Sequence, residues 1–261
     1  TTGCGELLEE RTTIPEIINA VTDYSKVNKL YTDAGNANDD ALLKAETDMT
    51  PGTKKSTGEL SPTITVEPAD LTTFPKTITI DFGDGILGFD GVTRKGKVIV
   101  NSTAWRGIEG SIHTSTFDNF YQNSNKIEGT HRATNMGMIG DTALQFRVEV
   151  IDGKVTTDEG KVLMYDQDTY RTRIAGGDTP LNVWDNEYLI DGTQSGISSD
   201  SIEYSIETLE PLHVKVLTRT FESGIMLLDI GTYEDIEINY TEKTITINGI
   251  EYPFGFTEGV E

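Results

Sequence analysis

Carboxylates are the most abundant groups in this chain that could do chemistry, 43 Asp and Glu in 261 residues. Asp166 with Asp168, and Asp185 with Glu187, are spaced to lie about 7 Å apart on one face of a strand, within the range that glycosidases use. At this density of acids such pairs arise without a function. Asp84, Asp90, Asp152, Asp158 and Glu159 fall at turns, where oxygen ligands could gather around calcium, but none follows the D-x-[DN]-x-[DN]-G loop. His113, His131 and His213 stand singly within predicted strands, with no paired spacing to make a zinc site. Gly83-Asp84-Gly85-Ile86-Leu87-Gly88 formally matches G-x-G-x-x-G. A helix N-terminus must follow to hold a pyrophosphate, and Phe89 to Thr93 instead reads as turn and strand. Gly192-Thr193-Gln194-Ser195-Gly196 lacks the G-x-S-x-G spacing of a nucleophile elbow. The sequence therefore assigns no catalytic residue, no metal and no cofactor.

Binding is better represented than catalysis. Trp105, in Ser102-Thr103-Ala104-Trp105-Arg106-Gly107, and Trp184, in Asn182-Val183-Trp184-Asp185-Asn186-Glu187, fall in predicted loops among polar side chains. An exposed indole can stack on a sugar ring while neighbours such as Asp185 and Glu187 take its hydroxyls. The competing expectation is that each indole plugs one end of a β core.

The charge balance narrows the partners. The formal net charge is −22, and residues 151–261 carry 22 acidic against 7 basic side chains. Duplex binding needs clustered Lys and Arg to displace counterions, so no nucleic-acid partner is expected. The same field opposes anionic surfaces and suits cations, neutral sugars or plain solubility.

The single cysteine, Cys4, excludes an internal disulfide. Its setting, Thr1-Thr2-Gly3-Cys4-Gly5, is that of a bacterial lipobox end, where a small residue precedes the cysteine that becomes acylated, although Thr1 stands where Leu is usual. No stretch approaches the 18 apolar residues of a membrane span, so membrane contact is expected only through a lipid anchor.

These residues must be positioned by strands. Ile78, Ile80 and Phe82 alternate with Thr77, Thr79 and Asp81, the period of a half-buried strand. A glycine-rich turn and Arg94-Lys95-Gly96-Lys97 lead into Val98-Ile99-Val100, which makes a hairpin with a long loop. Ser111 to Gln122 and Lys126 to Asn135, separated by Asn123-Ser124-Asn125, make a second. Leu144 to Val150 alternates before a turn at Asp152-Gly153-Lys154. Lys161 to Ile174, Tyr188 to Ile190, Ser201 to Ile206, Leu212 to Thr220, Gly224 to Ile230, Asp235 to Tyr240 and Lys243 to Ile247 follow, with a last turn at Asn248-Gly249. No helix-length segment separates them, which excludes βαβ units. A faint echo links Ile80-Asp81-Phe82-Gly83 to Leu228-Asp229-Ile230-Gly231 and raises the question of a duplicated hairpin.

One region differs. Thr13 with Pro15 and Glu16 caps a helix carrying Ile17, Ile18, Val21 and Tyr24. Asp33-Ala34-Gly35-Asn36 is expected to stop it, and Asn38-Asp39-Asp40 to cap a second helix up to Met49. The fold class read from the sequence is all-β, an antiparallel sandwich or curved meander, with a short N-terminal helical hairpin. Its parts are a tether at 1–13, a helical segment at 14–49, a linker at 50–62 and a β domain at 63–261.

Phe74-Pro75-Lys76-Thr77-Ile78-Thr79-Ile80-Asp81-Phe82-Gly83, Arg94-Lys95-Gly96-Lys97, Thr116-Phe117-Asp118-Asn119-Phe120-Tyr121 and Asn125-Lys126-Ile127-Glu128-Gly129-Thr130 together resemble a group of uncharacterised lipoproteins of Bacteroidota. The likeness extends more weakly through Arg171-Thr172-Arg173 and Tyr204 to Thr244-Ile245-Thr246-Ile247-Asn248-Gly249. It implies an exported protein at the outer membrane or cell surface, or on the periplasmic face, anchored through Cys4. It brings no activity, and the cysteines of that group near the first turn and last hairpin have no counterpart here. The expectation is a non-catalytic envelope protein that binds or scaffolds, with an envelope protein or a glycan as partner. A carbohydrate-binding or hydrolytic module of a glycan-uptake system is the alternative.

Overall fold

The computed structural model describes residues 12–49, 61–140 and 143–253. Among these residues one helix, α1 (Ile14–Met49), precedes fourteen strands. The first six are β1 (Thr63–Glu67), β2 (Lys76–Asp81), β3 (Ile86–Leu87), β4 (Thr93–Ser102), β5 (Ile112–Gln122) and β6 (Asn125–Ile139). Then come β7 (Ala143–Thr156), β8 (Val162–Ala175), β9 (Glu187–Ile197), β10 (Glu203–Lys215) and β11 (Thr220–Ile230). The last three are β12 (Tyr233–Asn239), β13 (Thr244–Ile247) and β14 (Ile250–Pro253). All belong to one antiparallel sheet whose order follows the chain, except that the two-residue β3 pairs with β4 alone. The curved meander is thus the architecture. Cys4 and nearly all of the predicted linker lie outside the described residues.

The sheet curls around α1. Tyr24 packs edge-on against Tyr204 of β10, while Tyr31 stacks on Tyr165 of β8 and meets Phe117 of β5. Nine consecutive helix residues, Leu30 to Asn38, are buried, so the middle of the helix has no solvent face. A surface helix would show an apolar stripe opposite a polar one, and here strands close on every side. Ile78, Ile80, Val98, Val100, Met226, Leu228, Ile236, Ile238, Ile245 and Ile247 form the inward faces of the flanking strands.

The expected helical hairpin is not formed, because α1 continues unbroken through Gly35-Asn36 and Asn38-Asp39-Asp40. Asn and Asp end helices when their side chains fold back on local backbone. In α1 they are engaged by the sheet instead. Asp33 accepts from Arg219 Nε at 2.9 Å, Asn36 faces Arg171 Nη1 at 3.4 Å, Asn38 donates to Ser115 at 3.2 Å and Asp39 accepts from Arg106 at 2.7 Å. Gly35 is tolerated because His131 presses on it: a Cβ there would lie 2.9 Å from the imidazole Nε2. The start of the helix is as expected. Thr13 is the cap, and Glu16 reaches back to its N–H at 2.5 Å, a capping-box contact that lowers the Glu16 pKa.

Bulges bend the sheet where the sequence shows turns. The predicted turn at Asp152-Gly153-Lys154 is a bulge inside β7: the register jumps from Val150↔Gln167 to Gly153↔Tyr165, and Asp152 adopts φ 51°. Its N–H donates to the Asp166 carboxylate at 2.9 Å, so the kink is satisfied without ending the strand. Similarly β10 runs through Pro211 with register shifts. The echo between the first and last hairpins does not extend to topology. β2 pairs directly with β4, whereas β12 lies between β11 and β13. The Asn248-Gly249 turn is as expected, with φ 50° and 76°.

One helix contact repairs the β6–β7 bulge. Gly129 (φ 101°) interrupts the register next to the Glu128↔Lys154 pair. Tyr31 Oη donates to the Glu128 carbonyl at 2.5 Å and accepts from the Lys154 N–H at 2.8 Å, completing the rung through a hydroxyl. Tyr31→Phe is therefore expected to lower stability by about 1 to 3 kcal/mol, the cost of stranding buried backbone groups. A urea midpoint within 0.2 M of wild type would mean that the rung needs no hydroxyl.

Candidate functional site

A groove of about 400 Å³ lies on the outer face of β8 to β12. Cross-strand register explains its shape. Asp166 of β8 is opposite Ser195 of β9, which is opposite Ser205 of β10, which is opposite Asp229 of β11. A parallel row runs Asp168, Thr193, Glu207, Leu227. Of the two middle strands, β9 presents the short Thr193 and Ser195, and β10 presents the short Ser205 with the longer Glu207 beside it. Longer acids stand at the sides, with Asp235 at the far wall. A floor of Ser and Thr, with Glu207 at one end of it, between walls of Asp is a valley on an otherwise level pleat.

Five carboxylates line this valley and no basic side chain does. Arg147, just outside, binds both oxygens of Asp168 at 2.8 and 2.7 Å and holds its pKa below the usual range. Asp166 accepts the Asp152 N–H and Asp229 the Asp235 N–H, each at 2.9 Å. These bonds fix the orientation of the acids on both walls while leaving further lone pairs free.

The acid pairs are unsuited to acid/base work. A general acid needs a raised pKa, and Asp168 is held ionised by its guanidinium. Asp166 and Asp229 are three strand spacings apart, about 14 Å, too far to act on one glycosidic bond. Asp185 is not on a strand with Glu187 at all: it precedes β9 and accepts from Thr179 at 2.6 Å, while Glu187 meets His213 Nε2 at 2.6 Å. Among the described residues no three His, Cys, Asp or Glu side chains are grouped to hold a metal ion.

The tryptophans lie elsewhere. Trp105, in the β4–β5 connection, donates from Nε1 to the Leu71 carbonyl at 2.9 Å and packs edge-on against Phe74, with the Lys76 ammonium 5.4 Å from its ring. Trp184, before β9, meets Phe89 at 6.3 Å. Both are half-buried and rest on the hydrophobic core. The partners differ, and neither ring lines the groove.

Asp166 and Asp168 were visible in the sequence as an acid pair. Glu207, Asp229 and Asp235 were not, because only strand pairing brings them beside the first two. The outward alternation of Ser195, Ser205 and their acidic neighbours was the available signal. No helix among the described residues is long and apolar enough to cross a membrane. In comparisons with known proteins, the chain matches no family model, no curated protein and no solved structure.

Proposed function

We propose that this is a non-catalytic binding protein of a bacterial cell envelope, exported and carried at the outer membrane or cell surface by a lipid on Cys4. The groove on β8 to β12 takes a cationic ligand, such as a Lys- or Arg-rich segment of an envelope protein. The observation that carries this reading is the lining of the groove: five carboxylates, of which Asp168 is already paired with Arg147 just outside, and no basic side chain. The surrounding half of the chain is strongly acidic, so its field adds to the local one and accelerates encounter with a basic partner. A glycan fits less well, since hydroxyl and acid groups are present but no aromatic ring lines the groove for a sugar face.

The reading is tested by titrating the folded protein with a lysine-rich peptide and with neutral oligosaccharides. Peptide affinity is expected to fall steeply with salt. It is also expected to fall at least tenfold in Asp166→Asn/Asp229→Asn, whose substitutions keep size and remove charge. Oligosaccharide binding without peptide binding, or peptide binding unchanged by the double substitution, would replace this reading with the glycan-binding one or with a different surface. The anchor is tested separately: labelled fatty acid is expected to enter the full-length precursor and not its Cys4→Ala variant. Equal labelling of the two would remove Cys4 from the account.

A further inference from the structure

Beside Gly35 the packing of α1 against the sheet leaves a void lined by Asp39, Arg106, His131, Arg171 and Tyr188. The centre of a water-sized sphere has about 10 Å³ to move in there, enough for one water or one small ion. Arg171 is 5% exposed. Its Nη1 and Nη2 reach only neutral acceptors, Asn36 Oδ1 at 3.4 Å and Thr32 Oγ1 at 3.2 Å, and its Nε has no partner. Arg106 Nε and His131 Nε2 are likewise unpartnered.

The charges do not balance either. Asp39 is bonded to Arg106 at 2.7 Å and attracts Arg171 as well, so one carboxylate faces two guanidinium groups and the cluster keeps one cation in excess. The neighbouring buried pairs, Asp33 with Arg219 and Asp90 with Arg94, are each internally neutral and supply no spare carboxylate. A guanidinium this far from water is costly unless it is both hydrogen-bonded and neutralised. Water in the void would answer the first need only. An anion answers both, and the space excludes anything as large as a phosphate.

We propose that the void between Arg106, His131 and Arg171 is a binding site for one small monovalent inorganic anion of about chloride size. The anion completes the charge balance of the core where the helix carries its polar residues. It ties β6 and β8 to α1 and the β4–β5 connection. Its role is independent of the outer groove, which lies on the opposite face of the sheet and is of opposite charge.

The test is a series of thermal melts in sodium chloride against sodium gluconate at matched ionic strength, the gluconate anion being too large for the void. Chloride is expected to raise Tm saturably, by roughly 5 to 10 °C at a concentration 100-fold above its Kd. In Arg171→Met, which keeps length and removes charge, the difference between the two salts is expected to vanish; a difference that persisted would place the anion elsewhere and overturn the site. Should that variant not fold, crystals of the unaltered protein grown in bromide decide. An anomalous peak beside Arg171 supports the site, and a void without one overturns it. Equal melts of the unaltered protein in the two salts would also overturn it, leaving water as the occupant.

Discussion

Acidification from pH 7 to pH 4 in chloride-free buffer is expected to remove on the order of 6 kcal/mol of stability through His113 and His131 together. Both are buried, on adjacent strands and facing α1, and burial pushes each pKa down from 6.5 to about 4. Arg106 adds to the effect at His113 and Arg171 at His131, while Asp39 opposes it at both. The hydrogen bonding at His113 agrees with a neutral ring. Ser102 Oγ donates to the Ala104 carbonyl at 2.8 Å, so at 2.7 Å from His113 Nδ1 it must accept, which puts the proton on Nδ1. Nε2 is then a bare lone pair with no partner inside the core, and protonating it would bury a cation.

The direction follows from which state binds protons more tightly. Unfolded histidines take up protons as pH falls through about 6.5, and folded ones resist until about 4. Stability from this source is complete above pH 6.5 and is lost as pH falls between those two values, at roughly 1.4 kcal/mol per pH unit for each ring. Asp33 contributes in the opposite sense, because desolvation raises its pKa despite the Arg219 contact and its protonation favours the fold. Urea denaturation at half-unit steps of pH, repeated on His113→Gln/His131→Gln, isolates the histidines as the difference in slope. Parallel slopes for the two proteins would show that the imidazoles are not buried as neutral groups. A loss of this size matches the whole stability of many domains, so acid unfolding is expected near pH 4 to 5.

A comparably large effect is expected from Ala34→Pro, which should abolish cooperative folding. Ala34 is fully buried at the centre of the helix, flanked by Asp33 and Gly35 with their contacts to Arg219 and His131. Proline removes its N–H and collides with the carbonyl of Leu30, at a cost of about 3 kcal/mol or more. That carbonyl already accepts from Gln122 Nε2 at 2.7 Å, so displacing it disturbs β5 as well. The kink would also misplace everything beyond it, including Asn36, Asn38 and Asp39, whose partners lie on β8, β5 and the β4–β5 connection. The natural Pro15 is harmless by contrast, since it occupies the first turn where no helical hydrogen bond is lost. Near-ultraviolet circular dichroism and urea unfolding measure the outcome. A variant that unfolded cooperatively within 1 kcal/mol of wild type would mean that the sheet holds its curvature without the helix.

Strand periodicity, the Thr13–Glu16 cap and the Asn248-Gly249 turn were legible in the sequence because each depends on neighbours within a few residues. Alternation in Ile78-Thr79-Ile80 sets which side chains face inward, whatever they meet there. The unbroken helix was not legible. Gly35, Asn36 and Asn38 are stop signals by local propensity, and they lose that role only because Arg171, Ser115 and His131 arrive from strands about 75 to 140 residues away. The same holds for Asp152-Gly153, a turn by composition and a bulge once Asp166 binds its backbone.

The acidic groove divides in the same way. Abundant carboxylate and an uneven charge were fixed by composition, and with them the expectation that nucleic acid is not the partner. Which acids share a wall was decided by the register of β8 through β12, where a shift of one residue would have turned Asp166, Ser195, Ser205 and Asp229 into the core. The excess cation at Arg171 belongs wholly to the tertiary structure. Nothing in its sequence neighbours, Tyr170 and Thr172, marks it as buried beside a second arginine, because burial and charge balance are properties of the packed interior and not of the chain.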